Sequence, residues 1–502
     1  MIMNIKENIS LNMFFSALLQ VVEILSTLII PRLIIVTFGS EVNGLVSSLN
    51  QFLNYVSLLE GGVASVMMAN MYKPLLDNNN DKLSAIFATM QKFFRQISYI
   101  FVVYMLIVAI TYPYIVHSKF SWGYIFSLTL ILGITLYIKY TFSISYRLLL
   151  NADNKIYITA IIQIIVVVLN VILVYITIKI FPSIHLVKLI SSLILLLQPI
   201  GYRYFVNKYF NIDYQAKPDK NVLSQRWNGF AINIAYFVHS NTDVVVLSIF
   251  NTLSIVSVYS VYLMVFKGVQ MIYSSLAGSL GPILGKKIAT GNKNELNEFF
   301  DLYEFFCISL AFILYGLAWI VIIPFVKWYT MGVTEINYIQ PLFATILASA
   351  ELVYCARDPY ISLEYCSNKF REIGKYAYTE AIINIVISIV AVIKFGLVGV
   401  ALGTLIGMIY RAIASFVYMK ENLLNRSGWK VIKYWITFIL MVLISYTVTY
   451  KIIQFKIFSF PKLIITGIVA AITIITCYFL LTILFHRKML KRMVGYILNR
   501  NL

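Results

Sequence analysis

Long apolar runs separated by short polar turns make up nearly the whole of the 502-residue chain. A bilayer core needs about 20 residues of helix at 1.5 Å rise each, and about fourteen runs between Leu11 and Phe485 meet that length. Polar residues inside the runs recur three or four apart. The first run carries Asn12, Ser16, Gln20, Glu23 and Thr27; the seventh Gly229, Asn233, Tyr236, Ser240 and Asp243; the eleventh Tyr376, Glu380, Asn384 and Ser388. Residues at that spacing share one helix face, so each stripe marks the side turned away from lipid. The pattern predicts an all-α polytopic membrane protein of about fourteen transmembrane helices.

The runs also repeat. Asn154-Lys155 followed by Asn170 matches Asn368-Lys369 followed by Asn384, and the turns "DNNNDKLSAIF" and "TGNKNELNEFF" align at Leu83 and Leu296, all at nearly the same offset. Six spans per repeat is an even number, which gives two parallel six-helix repeats and leaves two C-terminal helices outside them. The expected divisions are an N-terminal lobe over 1–206, a cytoplasmic linker over 207–221, a C-terminal lobe over 222–421, and the last two helices with a cytoplasmic tail over 422–502. Parallel duplicated bundles are a transporter architecture, with substrate handled between the halves.

Composition agrees with a membrane location: 60% of residues are hydrophobic, 12% are charged and mean hydropathy is +0.83. The net charge of +19 does not indicate nucleic acid, because alternate loops hold 29 of the 40 Lys and Arg residues. Such asymmetry orients a membrane protein and places both termini in the cytoplasm. The first span lacks a small-residue cleavage site and is expected to remain as an uncleaved anchor.

No phosphate-binding glycine loop or nucleophile elbow interrupts the spans. The four cysteines and four histidines show no paired spacing, so no metal, cofactor or enzymatic activity is expected. The candidate chemistry lies in charges placed within apolar runs. Lys267, in "YLMVFKGVQMIY", is too deep in its span for easy snorkelling, and an unpaired lysine there costs about 2.5–3.5 kcal/mol. It should face water, a carboxylate or an anionic substrate, with Asp243 or Glu23 as its resting partner. Arg32, Asn233 and Arg357 are further candidates for a substrate cavity, Arg357 at its cytoplasmic mouth. Pro31 offers a kink that would re-aim Arg32. Glu23, Asp243 and Glu380 are candidates for ion or proton coupling or for charge partners.

Several segments, in order along nearly the whole chain, resemble the Wzx-type polysaccharide flippases of the multidrug/oligosaccharidyl-lipid/polysaccharide (MOP) exporter superfamily. They include "FGSEVNGLVSSLNQFLNYVSLLEGGV", "YRLLLNADNKIYI", "NYIQPLFATILASAELVYCARDPY" and "EAIINIVISIVAVIKFGLVGVALGTLIGMIYR". The resemblance implies a two-lobed fold that moves an undecaprenyl-diphosphate-type lipid-linked oligosaccharide from the inner to the outer leaflet of the bacterial plasma membrane, for O-antigen or capsule synthesis. Membrane lipids, a polymerase and other polysaccharide-assembly proteins are the partners it implies. The eighth-span lysine belongs to no motif of that family, so its role rests on depth alone. A cation-coupled multidrug exporter of the same superfamily and a non-transporting scaffold are the rival readings.

Overall fold

The computed structural model describes residues 2–60, 62–219, 222, 230–289, 292–367, 370–424, 428–453 and 459–498. Among these every regular element is helical. In chain order they are α1 (Ile2–Phe38), α2 (Ser40–Asn54), α3 (Val63–Leu76), α4 (Asn80–Ile115), α5 (Trp122–Ile138), α6 (Ile144–Ala152), α7 (Ile156–Ile180), α8 (Ile184–Ile194) and α9 (Leu197–Tyr209). There follow α10 (Phe230–Phe250), α11 (Leu253–Ala277), α12 (Gly281–Ala289), α13 (Lys293–Tyr329), α14 (Pro341–Ala356), α15 (Asp358–Cys366), α16 (Phe370–Phe395), α17 (Leu397–Asn422), α18 (Trp429–Ile453), α19 (Phe460–Phe485) and α20 (Arg487–Leu498). Among the described residues eleven helices are long and apolar enough to cross a membrane. The α2–α3, α10 and α14–α15 legs fall outside that set: two are broken midway, and α10 contributes only the shorter apolar stretch Asn241–Phe250; with them the described helical legs match the about fourteen the sequence predicts. Pro31 lies inside α1, which is continuous from Ile2 to Phe38.

The packing divides the chain into two compact units: Met1–Phe237 with Asn251–Ser257, and Val238–Phe250 with Val258–Leu502. In the first, Leu45, Leu49, Met67, Phe94, Phe101 and Leu149 are fully buried core residues. Asn12, from the first polar stripe, serves that core. Its side-chain amide donates to the Asn154 carbonyl (2.8 Å) and its oxygen accepts from the Tyr157 amide (2.7 Å), stapling the turn between α6 and α7. The residues after α9 also dock: the Asp213 amide donates to Ser84 Oγ (3.0 Å) and the Asp219 amide to Thr89 Oγ1 (2.8 Å), both on α4.

The turns aligned at Leu83 and Leu296 fold alike. Asn79 caps the 36-residue α4 by accepting from the Lys82 amide (2.9 Å), and Asn292 caps the 37-residue α13 by accepting from the Asn294 amide (3.1 Å). An asparagine cap satisfies amides that the first helical turn leaves without partners. Both aligned leucines then turn into their cores.

In the second unit α16 and α17 form the closest helix pair. They are joined by Gly396, whose φ of 53° and ψ of −126° suit glycine alone. Beyond it Gly403 lets the backbones meet: a Cβ built there would stand 2.7 Å from the Ser388 backbone nitrogen and 2.9 Å from the Asn384 carbonyl. Small residues at such crossings are how membrane helices gain contact without a hydrophobic driving force. On the outward faces of α1, α16, α18 and α19, residues such as Val21, Val390, Leu443 and Ile472 are exposed, as lipid-facing positions should be.

Candidate functional site

The charges that the sequence places inside the apolar runs of the second unit come together on α10, α11, α14, α16 and α17. Two tyrosines set the register of α11 against α14. Tyr262 donates to the Tyr338 carbonyl (2.8 Å) just before α14, and Tyr273 donates to the Cys355 carbonyl (2.8 Å) near its end; both rings are buried. Lys267 lies between them. Its Nζ donates to Gln270 Oε1 (2.9 Å), one turn along, and stands 3.8 Å from Glu351 Oε1 on α14. The pair is unequal: the lysine side chain is 32% exposed and the glutamate 4%. The cation is therefore the accessible member, and Glu351, rather than Asp243 or Glu23, is its ion-pair partner.

One turn beyond Glu351, the Tyr354 ring lies near two cations. Lys267 Nζ is 5.9 Å from the ring centroid and the Arg357 guanidinium 4.8 Å, both within cation–π range. Arg357 pairs with Glu380 of α16 at 3.0 Å, and both are nearly buried. This arginine, expected from the sequence at a cytoplasmic mouth, is held by a carboxylate from a neighbouring helix. A third pair, Arg411 with Glu364 at 3.1 Å, is buried as well. A charge in an apolar run is costly, and such a partner offsets the cost.

Asp243 differs from the other carboxylates. Its Oδ2 accepts from the Tyr259 hydroxyl (2.7 Å) and from Thr404 Oγ1 (2.6 Å), which in turn accepts from the Asn384 side-chain amide (3.1 Å). Asp243 Oδ1 and Asn384 Oδ1 are buried with no hydrogen-bond partner. Ser388 Oγ donates to the Val400 carbonyl (3.3 Å) in the same layer of α16 and α17. Carboxylate, amide, hydroxyl and carbonyl oxygens are the donor set for a hard cation, and an acid held by neutral hydroxyls is equally suited to take a proton. Among the described residues there is no group of three His, Cys, Asp or Glu fit for a transition metal, and the four cysteines are free.

The remaining candidates stand apart from this cluster. Glu23 and Arg32 are half-buried on α1 in the first unit, where the Glu23 carbonyl accepts from Thr27 Oγ1 (2.8 Å). The Asn233 side chain lies outside the described residues. Tyr259, Tyr354 and Thr404 are site residues that sequence reasoning missed; the one signal for Tyr354 was its place three residues from both Glu351 and Arg357 on one helix face.

On the far side of α14 a series of apolar cavities follows the helix. One of about 390 Å³ is lined by Trp319, Ile323, Pro341, Thr345 and Tyr446. The next, about 190 Å³, shares Trp319 and Thr345 and adds Ser349, Phe438 and Leu443. The third, about 290 Å³, lies between α14, α17 and α18, with Val353, Phe416, Ile432 and Trp435 on its walls and Arg357 among its lining residues. One wall of each is α18, which the repeat does not include.

No protein-family model matches the chain, and no curated protein matches its sequence. Solved structures do. The chain is similar to the lipid II flippase MurJ in an inward closed conformation, with a TM-score of 0.71 and 16% identity over 95% of this chain and 99% of that one. It is also similar to the eukaryotic MATE transporter AtDTX14 (TM-score 0.61, 12% identity, 83% and 96% covered). An inward-facing MATE family multidrug transporter of the MOP superfamily gives a TM-score of 0.58 at 13% identity, with 79% and 94% covered. At these identities the likeness is one of architecture: the chain has the all-α membrane fold that MurJ and the MATE transporters share.

Proposed function

We propose that the chain is a flippase that carries a polyprenyl-diphosphate-linked oligosaccharide from the inner to the outer leaflet of the bacterial plasma membrane by alternating access, for O-antigen or capsule synthesis. The observation that carries this reading is the set of mainly apolar cavities beside α13, α14 and α18, the third of which has Arg357 among its lining residues. A polyprenyl chain needs an apolar track beside the protein, and its diphosphate needs cations where the track ends. Arg357, which lines the third cavity while paired with Glu380, and Lys267, the more accessible cation near the same Tyr354 ring, are the charges we assign to the second need. The likeness to a lipid II flippase over nearly the full chain supports the same substrate class. Asp243, with Thr404 and Asn384, is the coupling site, taking a proton or a monovalent cation. Both termini are cytoplasmic, and a polymerase receives the flipped unit.

The test is a strain lacking the gene, in which surface polysaccharide and the lipid-linked pool are measured together. Loss of polymer with accumulation of the lipid-linked unit, reversed by the wild-type chain but not by Lys267→Met or Ser349→Phe, is the expected result. Unchanged pools with raised drug sensitivity would overturn it in favour of cation-coupled multidrug export, the reading favoured by the MATE likeness and equally served by Asp243.

A further inference from the structure

At the junction of α19 and α20 the helix is interrupted at a single residue, His486. Its ring is buried against Tyr434 (centroids 5.0 Å apart), and its Nε2 hydrogen-bonds Thr437 Oγ1 on α18 (2.9 Å). Its backbone carbonyl accepts from the Met489 amide (2.9 Å) and so starts α20. This lock brings the first turns of α20 beside the first turns of α18 and encloses a cleft of about 460 Å³.

The charges around that cleft are strongly biased. Lys430 and Lys433 come from α18, and Arg487, Lys488 and Arg492 from α20; Asp301 of α13 is the one acid among the lining residues, and it already pairs with Lys430 at 2.8 Å. Among the described lining residues, four further cations therefore stand beside a single carboxylate that Lys430 already engages. The other walls are apolar: Leu484, Phe485 and Met489. Leu484 and Phe485 are exposed on α19 immediately beside the cations, and the same helix continues with exposed Leu480, Phe479 and Ile475. A soluble anion would use the cations and leave this apolar strip unused, whereas an amphiphile would use both. The basic residues put this end of α18–α20 on the cytoplasmic side, where anionic lipid headgroups concentrate.

We infer that this cleft binds the headgroup of an anionic phospholipid of the inner leaflet, with its phosphate among Lys433, Arg487 and Arg492 and its acyl chains along the exposed face of α19. The site is separate from the Lys267–Arg357 cluster. The bound lipid is not cargo; it anchors α20 and the two helices that stand outside the repeat.

The experiment is native mass spectrometry of the purified full chain in detergent, with phosphatidylglycerol or phosphatidylcholine added and glycerol 1-phosphate as competitor. Phosphatidylglycerol is expected to be retained and phosphatidylcholine not. Lys433→Gln with Arg492→Gln should weaken retention by about tenfold or more. Lys433→Arg with Arg492→Lys, and Lys451→Gln with Lys462→Gln at the opposite ends of α18 and α19, should retain lipid as the wild type does. Where the first pair fails to fold, Lys488→Gln alone should give a smaller loss in the same direction. Equal losses in the Lys451/Lys462 variant, or full retention by a folded Lys433/Arg492 variant, would overturn the site. Displacement by millimolar glycerol 1-phosphate would replace the lipid with a soluble phosphate.

Discussion

Lys267 and Glu351 stand 3.8 Å apart, yet only the lysine can be reached from outside. Removing either partner therefore has unequal consequences. Lys267→Met leaves a buried carboxylate without its cation and should destabilise the chain by about 2–3 kcal/mol, whereas Glu351→Gln leaves a lysine that retains contact with solvent and should cost less. The double variant should recover most of the loss. Thermal melts of the four proteins in one detergent measure the order; equal destabilisation by the two single changes would contradict the unequal burial.

Asp243 should behave as a functional group that the fold tolerates at a cost. Asp243→Asn removes a buried acid that accepts only from Tyr259 and Thr404. It should leave melting in cation-free buffer unchanged or slightly raised, and should abolish stabilisation by added sodium or by acid. Thr404→Val should weaken that response while costing about 1 kcal/mol for the lost hydroxyl. A cation response that survives in Asp243→Asn would place the coupling site elsewhere.

Gly403→Ala should destabilise by about 2 kcal/mol or more, because the new methyl would press on the Ser388 and Asn384 backbone. Gly467→Ala, with nothing within 4 Å of its Cβ, is the matched control and should be neutral or stabilising by about 0.5–1 kcal/mol. Melting temperatures of the two variants under identical conditions check the difference.

The His486 lock should open in acid. Burial, with a smaller contribution from the positive charge of Lys433, holds the imidazole below its ordinary range, so the folded chain keeps it neutral. A group whose pKa is depressed by folding contributes stability above its unfolded value of about 6.5, and that contribution is lost as pH falls through the folded value. The opening constant of α20, read from hydrogen exchange after division by the intrinsic rate at each pH, should therefore be larger at pH 5.5 than at pH 7.5. In His486→Phe, which keeps a ring against Tyr434 but cannot titrate, the protection factors should be the same at both values.

Helices, stripes and depth were legible in the sequence because lipid imposes one period and one length on every span. The cap at Asn292 could be anticipated from its match with Asn79, since capping is local. Lys267 was legible as an anomaly but its partner was not. Whether Glu351 or Asp243 comes opposite depends on the register of α11 against α14, and that is fixed by the hydrogen bonds of Tyr262 and Tyr273 to distant carbonyls. Tyr259 and Thr404 were invisible for a different reason: a hydroxyl in an apolar helix has its own backbone as an ordinary partner. The cavities beside α14 could not be read at all, because they are made of space left between side chains of α13, α14, α17 and α18.

Gly403 places Ser388 and Asn384 against Thr404 with no room for a side chain between the two helices. Pulling α16 from α17 would open a gap along the whole crossing, so the pair behaves as a fixed jaw. Asp243 of α10 reaches that pair through the short hydrogen bond from Thr404 (2.6 Å), so any change at the carboxylate is met by a surface that does not yield.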